Sequence, residues 1–457
     1  MTINGGDEQL RKSRYVENVV AGNGYVPGQA RDFPSAEEEE FRARMERRKE
    51  EVLAERMSLS HPILFSSQKI NQAKKNIEKT DWADLWLNET REVADYVISQ
   101  GADYIEKMIP RLTPSNPYGL TCPNCVGRLT QEGTLHRNGF AWDYHQPDQI
   151  RCNGCGQGYP HPDYSESGQL VCPRTGQRFT YYLNAEERAD LDDRSGKHAW
   201  KWVGHPIHVS FEGVIRERKS NFMLSAAWKL AFMYRLEQGS QYAERAIDIL
   251  VRFAECYRHW LYHDYWDGVA DCDPLYAAWH DMELPLEWKR HPCADAYTED
   301  TVECAGMIQS YWGAGRLHTS TDAVGKLKTI CEVYDMTYDA DGDDGQLLWM
   351  SSTRQKVEKD LILEYVMGAE PFVGGEGAAE CLNNKAPRVY LAMAAVGRCL
   401  GLAGYVDAAL RGYEGLRDKS FLYDGFSGES PAYTNMYLSG TSACPGRGRR
   451  GCCRCSP

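Results

Sequence analysis

The sequence predicts a mainly α protein built from helix pairs, and three observations carry that expectation. Apolar residues recur at helical spacing through most of the chain after residue 222. No run of alternating strands occurs between 183 and 425, and the one stretch that breaks the helical regime, 116–182, is dominated by Gly, Pro, Cys and polar residues. At 457 residues the chain exceeds one simple core, so two or three domains are expected. Its 42% hydrophobic and 26% charged residues are the usage of a folded chain. A formal net charge of −13 disfavours a generic nucleic-acid grip, and no apolar run reaches the roughly 18 residues of a membrane span.

In chain order, residues 1–34 mix Gly, Asn, Pro and charge without periodicity and read as a mobile arm. Ser35 three residues before Glu38 marks a helix start, and the charge-rich helix that follows reads as solvated, with i,i+4 pairs Glu38–Arg42 and Glu40–Arg44. From His61-Pro62, the residues Trp82, Leu85, Trp86, Val93, Val97, Ile98 and Ile105 keep helical spacing until Pro110. These make up an N-terminal helical region, 35–115. The insert, 116–182, has short β-like pieces near Phe140–Tyr144 and Phe179–Leu183. Phe222, Ala226, Leu230 and Met233 share one face, Gly239 stops their helix, and Ala243 to Tyr257 forms its partner in an αα-hairpin. Further helices are expected at 301–313, 323–338, 354–367, 386–400 and 405–416, within a body spanning 183–440. Such pairs could form a bundle, a solenoid or a closed toroid. The final stretch, 441–457, holds four Arg, four Cys and no acid, and reads as an aberrant tail from a truncated or shifted reading frame.

The sharpest chemical signal is a doubled CxxC, Cys122/Cys125 and Cys152/Cys155, separated by 26 residues. Each knuckle turns two sulfurs to one side of a tight turn, as tetrahedral zinc requires, and four sulfurs leave no open position for catalysis. A structural Zn²⁺ is therefore expected, with no catalytic cofactor; Cys172 and His161 could substitute as ligands but read as ordinary insert residues. The Asp339–Gly345 stretch has its Gly one place late and Met350 where a calcium loop needs Glu, so it reads as a turn. His259 and His263 lack the intervening Glu of a zincin and receive no role. Without an apolar h-region at the start the chain as written reads as cytoplasmic.

Residues 381–388, Cys-Leu-Asn-Asn-Lys-Ala-Pro-Arg, set two amides and two cations before an apolar helix whose first N–H groups also welcome an anion. A Gly/Pro-rich loop, DGFSGESPAYTNMY at 424–437, follows later. Read as residues alone, Asn-Asn is an N-cap and Tyr433 a packed aromatic. Together with HPILFSSQKINQAKKNIEKTDWADLW at 61–86 and the hairpin at 226–255, these motifs resemble the heparinase II/III-like polysaccharide lyases, which include alginate lyases. The resemblance covers roughly 61–440 outside the insert.

It implies an incomplete (α/α) toroid of antiparallel helix pairs, followed in relatives by a β-sandwich, and cleavage of uronic-acid polysaccharides by β-elimination. The chain ends where that sandwich would begin, so a fragment lacking activity is one expectation. A uronate C5 proton becomes acidic only when the adjacent carboxylate is neutralised, which an amide can do, and a phenol can move the proton. By resemblance Asn384 neutralises, Tyr433 is the acid or acid/base with Tyr437 behind it, and Asn383, Lys385, Arg388 and Glu429 bind substrate. Lys385 stands where many relatives carry His, which leaves the base open. The implied partner is an acidic polysaccharide or oligosaccharide; relatives in the periplasm or outside the cell also fit the resemblance. Two other classes compete: a toroidal glycoside hydrolase using carboxylates among Glu376, Glu380, Asp424 and Glu429, and a non-catalytic carbohydrate-binding, zinc-stapled scaffold.

Overall fold

The computed structural model describes residues 36–114, 139–162, 168–171, 178–181, 211–262, 269–270, 272–280, 289–290, 320–373 and 386–421, with Leu120, Cys122, Arg316, Gly428 and Thr434. Four helices come first: α1 (Ala36–Ala54), α2 (Ser67–Lys79), α3 (Asp81–Ser99) and α4 (Tyr104–Met108). The apolar stretch from 61 to 110 is thus three helices. Thr80 separates two of them: its N–H and hydroxyl both bond the Asn76 carbonyl (2.9 and 2.8 Å), which closes α2 and frees an extended residue to start α3. The buried face of α3 carries Ala83, Leu87, Thr90, Ala94 and Val97. Trp82 and Leu85 lie on the other side, 65% and 64% exposed, while Trp86 meets Trp228 and Phe232 edge to face.

In the insert, β1 (Phe140–Trp142), β2 (Ile150–Cys152) and β3 (Gly158–Tyr159) form an antiparallel sheet in that order, with Phe140 opposite Cys152 and Ile150 opposite Tyr159. A second hairpin pairs β4 (Gly168–Val171) with β5 (Arg178–Tyr181). Such short strands bury too little to stand alone. They are docked on the first turns of α5 (Phe211–Glu237), where Ile150, Cys152 and Tyr159 share a small core with Phe211, Val214 and Ile215. The Tyr159 and Phe211 rings stack with centroids 4.1 Å apart and planes at 6°.

The hairpin of α5 and α6 (Ser240–Tyr257) is as expected, but it begins eleven residues earlier than the apolar face suggested. Its left-handed residue is Gln238, φ 62°, and not Gly239, whose φ is −75°. The Gln238 N–H and side-chain amide both reach the Tyr234 carbonyl at 2.8 and 3.1 Å, and these bonds offset the strain. A two-residue ladder, β6 (Val269–Ala270) with β7 (Lys289–Arg290), interrupts the helical body near α7 (Pro274–His280). Then come α8 (Ser320–Thr337), α9 (Ser351–Lys356), a π-helical stretch (Val357–Leu363), α10 (Glu364–Val373), α11 (Ala386–Leu400) and α12 (Ala403–Lys419). The helices expected at 323–338, 354–367, 386–400 and 405–416 are present; 301–313 lies outside the described residues, as do the arm, Ser35 and the 441–457 tail. One continuous apolar core runs from Phe41 in α1 to Leu416 in α12.

The helices α11 and α12 meet at Gly412, where a Cβ would stand 2.2 Å from Cε1 of the buried Tyr390 ring. Gly412→Ala is expected to destabilise the chain by about 1–3 kcal/mol in chemical denaturation, because neither the ring nor the backbone has room to yield. Gly404→Ala, in the same helix with nothing near its Cβ position, should not destabilise it.

Candidate functional site

Three thiols converge in the insert: the Sγ atoms of Cys122, Cys152 and Cys155 all lie within 4.8 Å of one another, placed so that one metal ion could be held. The knuckle Cys152-Asn-Gly-Cys155-Gly is shaped for this. The Gly154 N–H points at Cys152 Sγ (3.3 Å), Gly156 N–H bonds the Cys152 carbonyl (2.9 Å), and Gly156 takes φ 77°, a value that glycine alone adopts without cost. Cys122 Sγ sits 3.5 Å from Cys155 Sγ and 3.1 Å from the Tyr159 hydroxyl. Sulfurs on a tetrahedral zinc with bonds of about 2.3 Å lie roughly 3.8 Å apart, so the spacing fits. Burial pushes the Cys122 thiol up, the Tyr159 hydroxyl draws it down, and the two neighbouring thiols raise it again. A dication in place of the shared protons relieves that crowding. Cys125 lies outside the described residues.

A second constellation was not legible as a site in the sequence. The helix α1, expected to be solvated, buries Glu38 and Lys49 and largely buries Arg42. Glu364 at the start of α10 is fully buried and receives Arg42 Nη1 and Nη2 (2.8 and 3.1 Å), Lys49 Nζ (2.5 Å) and Arg316 Nη1 (2.8 Å). Arg42 Nε reaches Asp273 at 2.5 Å and Lys49 also reaches Glu46 at 3.0 Å, so three cations meet three carboxylates. Asp273 in turn accepts the Leu275 and Tyr276 N–H groups at 2.9 and 3.1 Å and starts α7, while Glu38 accepts the Asp273 N–H. Burial opposes ionisation of Glu364, but Arg42, Arg316 and Lys49 outweigh it and hold the carboxyl well below its ordinary range. The signal in the sequence was spacing: Glu38, Arg42 and Lys49 follow one another by four and seven residues, on the stripe of Phe41 and Met45. The charges belong to the buried face. Neither Glu38–Arg42 nor Glu40–Arg44 is among the ion pairs of the described residues.

Of the residues assigned by resemblance, Asn383, Asn384, Lys385, Glu429, Tyr433 and Tyr437 lie outside the described residues. Arg388 is half-buried in the first turn of α11, which begins at Ala386, directly after the Asn-Asn-Lys run. Tyr413 of α12 donates its hydroxyl to the Pro387 carbonyl (2.8 Å), and the Gly428 N–H bonds the Ser420 carbonyl (2.7 Å). The Asp-rich loop is a turn: Asp341 bridges Leu347, Asp343 accepts from Ser240 at 2.7 Å and Asp339 pairs with Arg235. No family model, no curated protein and no solved structure matches this chain. No helix among the described residues is long and apolar enough to cross a membrane.

Proposed function

We propose that the chain is a polysaccharide lyase acting by β-elimination on a uronic-acid polysaccharide of modest charge density, on an incomplete (α/α) toroid. A zinc-ribbon-like insert, closed by Cys122, Cys125, Cys152 and Cys155 around one structural Zn²⁺, staples the loop between its helices. The motifs in the sequence and their order support the reading. One geometric observation carries it further: α11 and α12 are antiparallel, and the Tyr413–Pro387 bond joins the start of the first to the last turns of the second. The chain before Ala386, carrying Asn383-Asn384-Lys385, and the chain after Ser420, leading to Tyr433, therefore attach to the same end of one hairpin.

In this reading Asn384 donates its amide to the uronate carboxylate as charge builds at C5, and Tyr433 moves the proton between C5 and the departing O4. Asn383, Lys385, Arg388 and Glu429 bind the flanking sugar units, with Tyr437 the neighbouring phenol. At −13 overall the chain repels a polyanion at long range, and screening over about 10 Å leaves local cations such as Lys385 and Arg388 to receive it. A weakly charged uronate polymer fits better than a heavily sulfated one.

The test is to screen uronate polymers with the full chain for the ultraviolet absorbance of an unsaturated uronate. Tyr433→Phe is expected to lower turnover by about a hundredfold or more at nearly constant KM. Full turnover in that variant would remove Tyr433 from the reaction. Reducing ends formed without absorbance would assign a hydrolase, and no cleavage of any uronate polymer would overturn the proposal.

A further inference from the structure

After α1 the chain runs through a loop, 55–66, that packs on α8, α11 and the π-helical stretch. A cavity of about 240 Å³ lies there. Its rim carries the exposed Arg56, Met57 and Ser58, and its floor the buried Tyr334, Cys399 and Leu400. The Met57 N–H bonds the Gly401 carbonyl at 2.9 Å and ties the rim to the end of α11.

The walls are preorganised. His61 Nδ1 lies 2.7 Å from the Asp335 carboxylate, and its ring stacks on Tyr338 with centroids 3.8 Å apart and planes at 20°. Asp335 is buried and also accepts the N–H groups of Ile63, Leu64 and Phe65 at 2.8, 2.7 and 3.1 Å. Burial opposes its ionisation, but the bonds from His61, Ile63 and Phe65 prevail and hold its carboxyl below the ordinary value. With Nδ1 engaged, Nε2 is the polar atom that the His61 ring has left, and it has no hydrogen-bond partner among the described residues.

The acid in the wall is already compensated. Glu358 takes the Tyr334 hydroxyl at 2.5 Å and a single Arg56 nitrogen, Nη1, at 3.1 Å from each oxygen. Arg56 Nη2 and Nε, the Tyr338 hydroxyl and the Ser58 hydroxyl have no hydrogen-bond partner among the described residues. What the lining offers is one guanidinium edge, one imidazole nitrogen and two hydroxyls beside Cys399 and Leu400. A guanidinium edge matches a carboxylate, and an imidazole nitrogen and hydroxyls match alcohol groups.

We propose that this cavity binds a small hydroxycarboxylate, its carboxylate on the free edge of Arg56 and a hydroxyl on His61 Nε2. The chemistry is shared by cyclic uronic acids and open-chain hydroxy acids. A neutral sugar leaves the guanidinium unmatched; a simple carboxylate leaves the imidazole and hydroxyls unmatched. The inference is independent of the lyase reading, since none of its residues belongs to the proposed lyase site.

The experiment is calorimetric titration of the full chain with D-glucuronate and D-gluconate, with glucose and acetate as comparators. At least one hydroxycarboxylate is expected to bind one to one with a Kd of about 10 mM or tighter, and glucose and acetate at least about tenfold more weakly. Binding of glucuronate alone assigns a cyclic hydroxy acid, and of gluconate alone an open-chain one. Arg56→Gln, at a side chain 49% exposed, removes the cation beside Glu358 and is expected to lower thermal stability modestly, and at a temperature where the variant remains folded it should weaken binding at least about tenfold. Ligand should shift the His61 ring resonances of the parent in NMR spectra. Failure of both acids to bind at about 10 mM, equal binding of acetate or glucose, or undiminished binding by Arg56→Gln overturns the proposal.

Discussion

Glu364→Ala is expected to cost about 3–5 kcal/mol of stability, because it strands Arg42, Lys49 and Arg316 in the interior with one carboxylate fewer than they need. Glu364 is fully buried and joins α1, α10 and the Arg316 segment, so no solvent screens the loss. Urea unfolding of parent and variant measures it. A change under about 1 kcal/mol would mean that water or another carboxylate reaches the cations. The pH dependence has a definite sign. A carboxyl held below its ordinary value of 4.5 contributes fully above that value, and its contribution is lost as the pH falls through the lower folded value. The parent should therefore lose stability faster than Glu364→Ala below about pH 4.5, and the gap between them should narrow with acid.

Removing the proposed zinc is expected to undo the insert. Three short ladders and a core of a few side chains do not hold such a segment, whereas structural zinc on thiolates supplies about 10 kcal/mol or more at neutral pH. The chain purified without chelator should carry one zinc, released by a thiol-blocking reagent or a strong chelator. Cys122→Ser should abolish the stoichiometric metal, since this buried sulfur faces both Cys155 and Tyr159. The near-ultraviolet signal of the stacked Tyr159 and Phe211 rings should collapse, while the far-ultraviolet helical signal, carried by a separate core, persists. Zinc-free protein with an intact insert would defeat the assignment. Loss of the helical signal along with the metal would show that the two cores unfold together.

Local patterns in the sequence were sufficient to determine where most helices lie. The stretch from Ala386 to Leu400 is bounded by an amide-rich N-terminus and by Gly401, and the structure forms a helix with those limits. The knuckle at Cys152–Gly156 was equally legible, because two sulfurs three apart and a following glycine specify a turn without help from elsewhere. Periodicity identifies a face but says nothing of what that face meets. In α3 the chain buries the Ala83–Leu87–Val97 side and leaves Trp82 and Leu85 in water, although the apolar spacing groups these two with Val97. In α1 the charged residues looked solvated, since their partners Asp273 and Glu364 stand more than 200 residues away. His61 and Asp335, 274 positions apart, meet only because the loop after α1 packs on α8. Helix propensity and turn chemistry act over a few residues and are written into the sequence. The pairing of buried charges is decided by desolvation, which makes an ion keep whichever opposite charge the packing of the whole chain brings within reach.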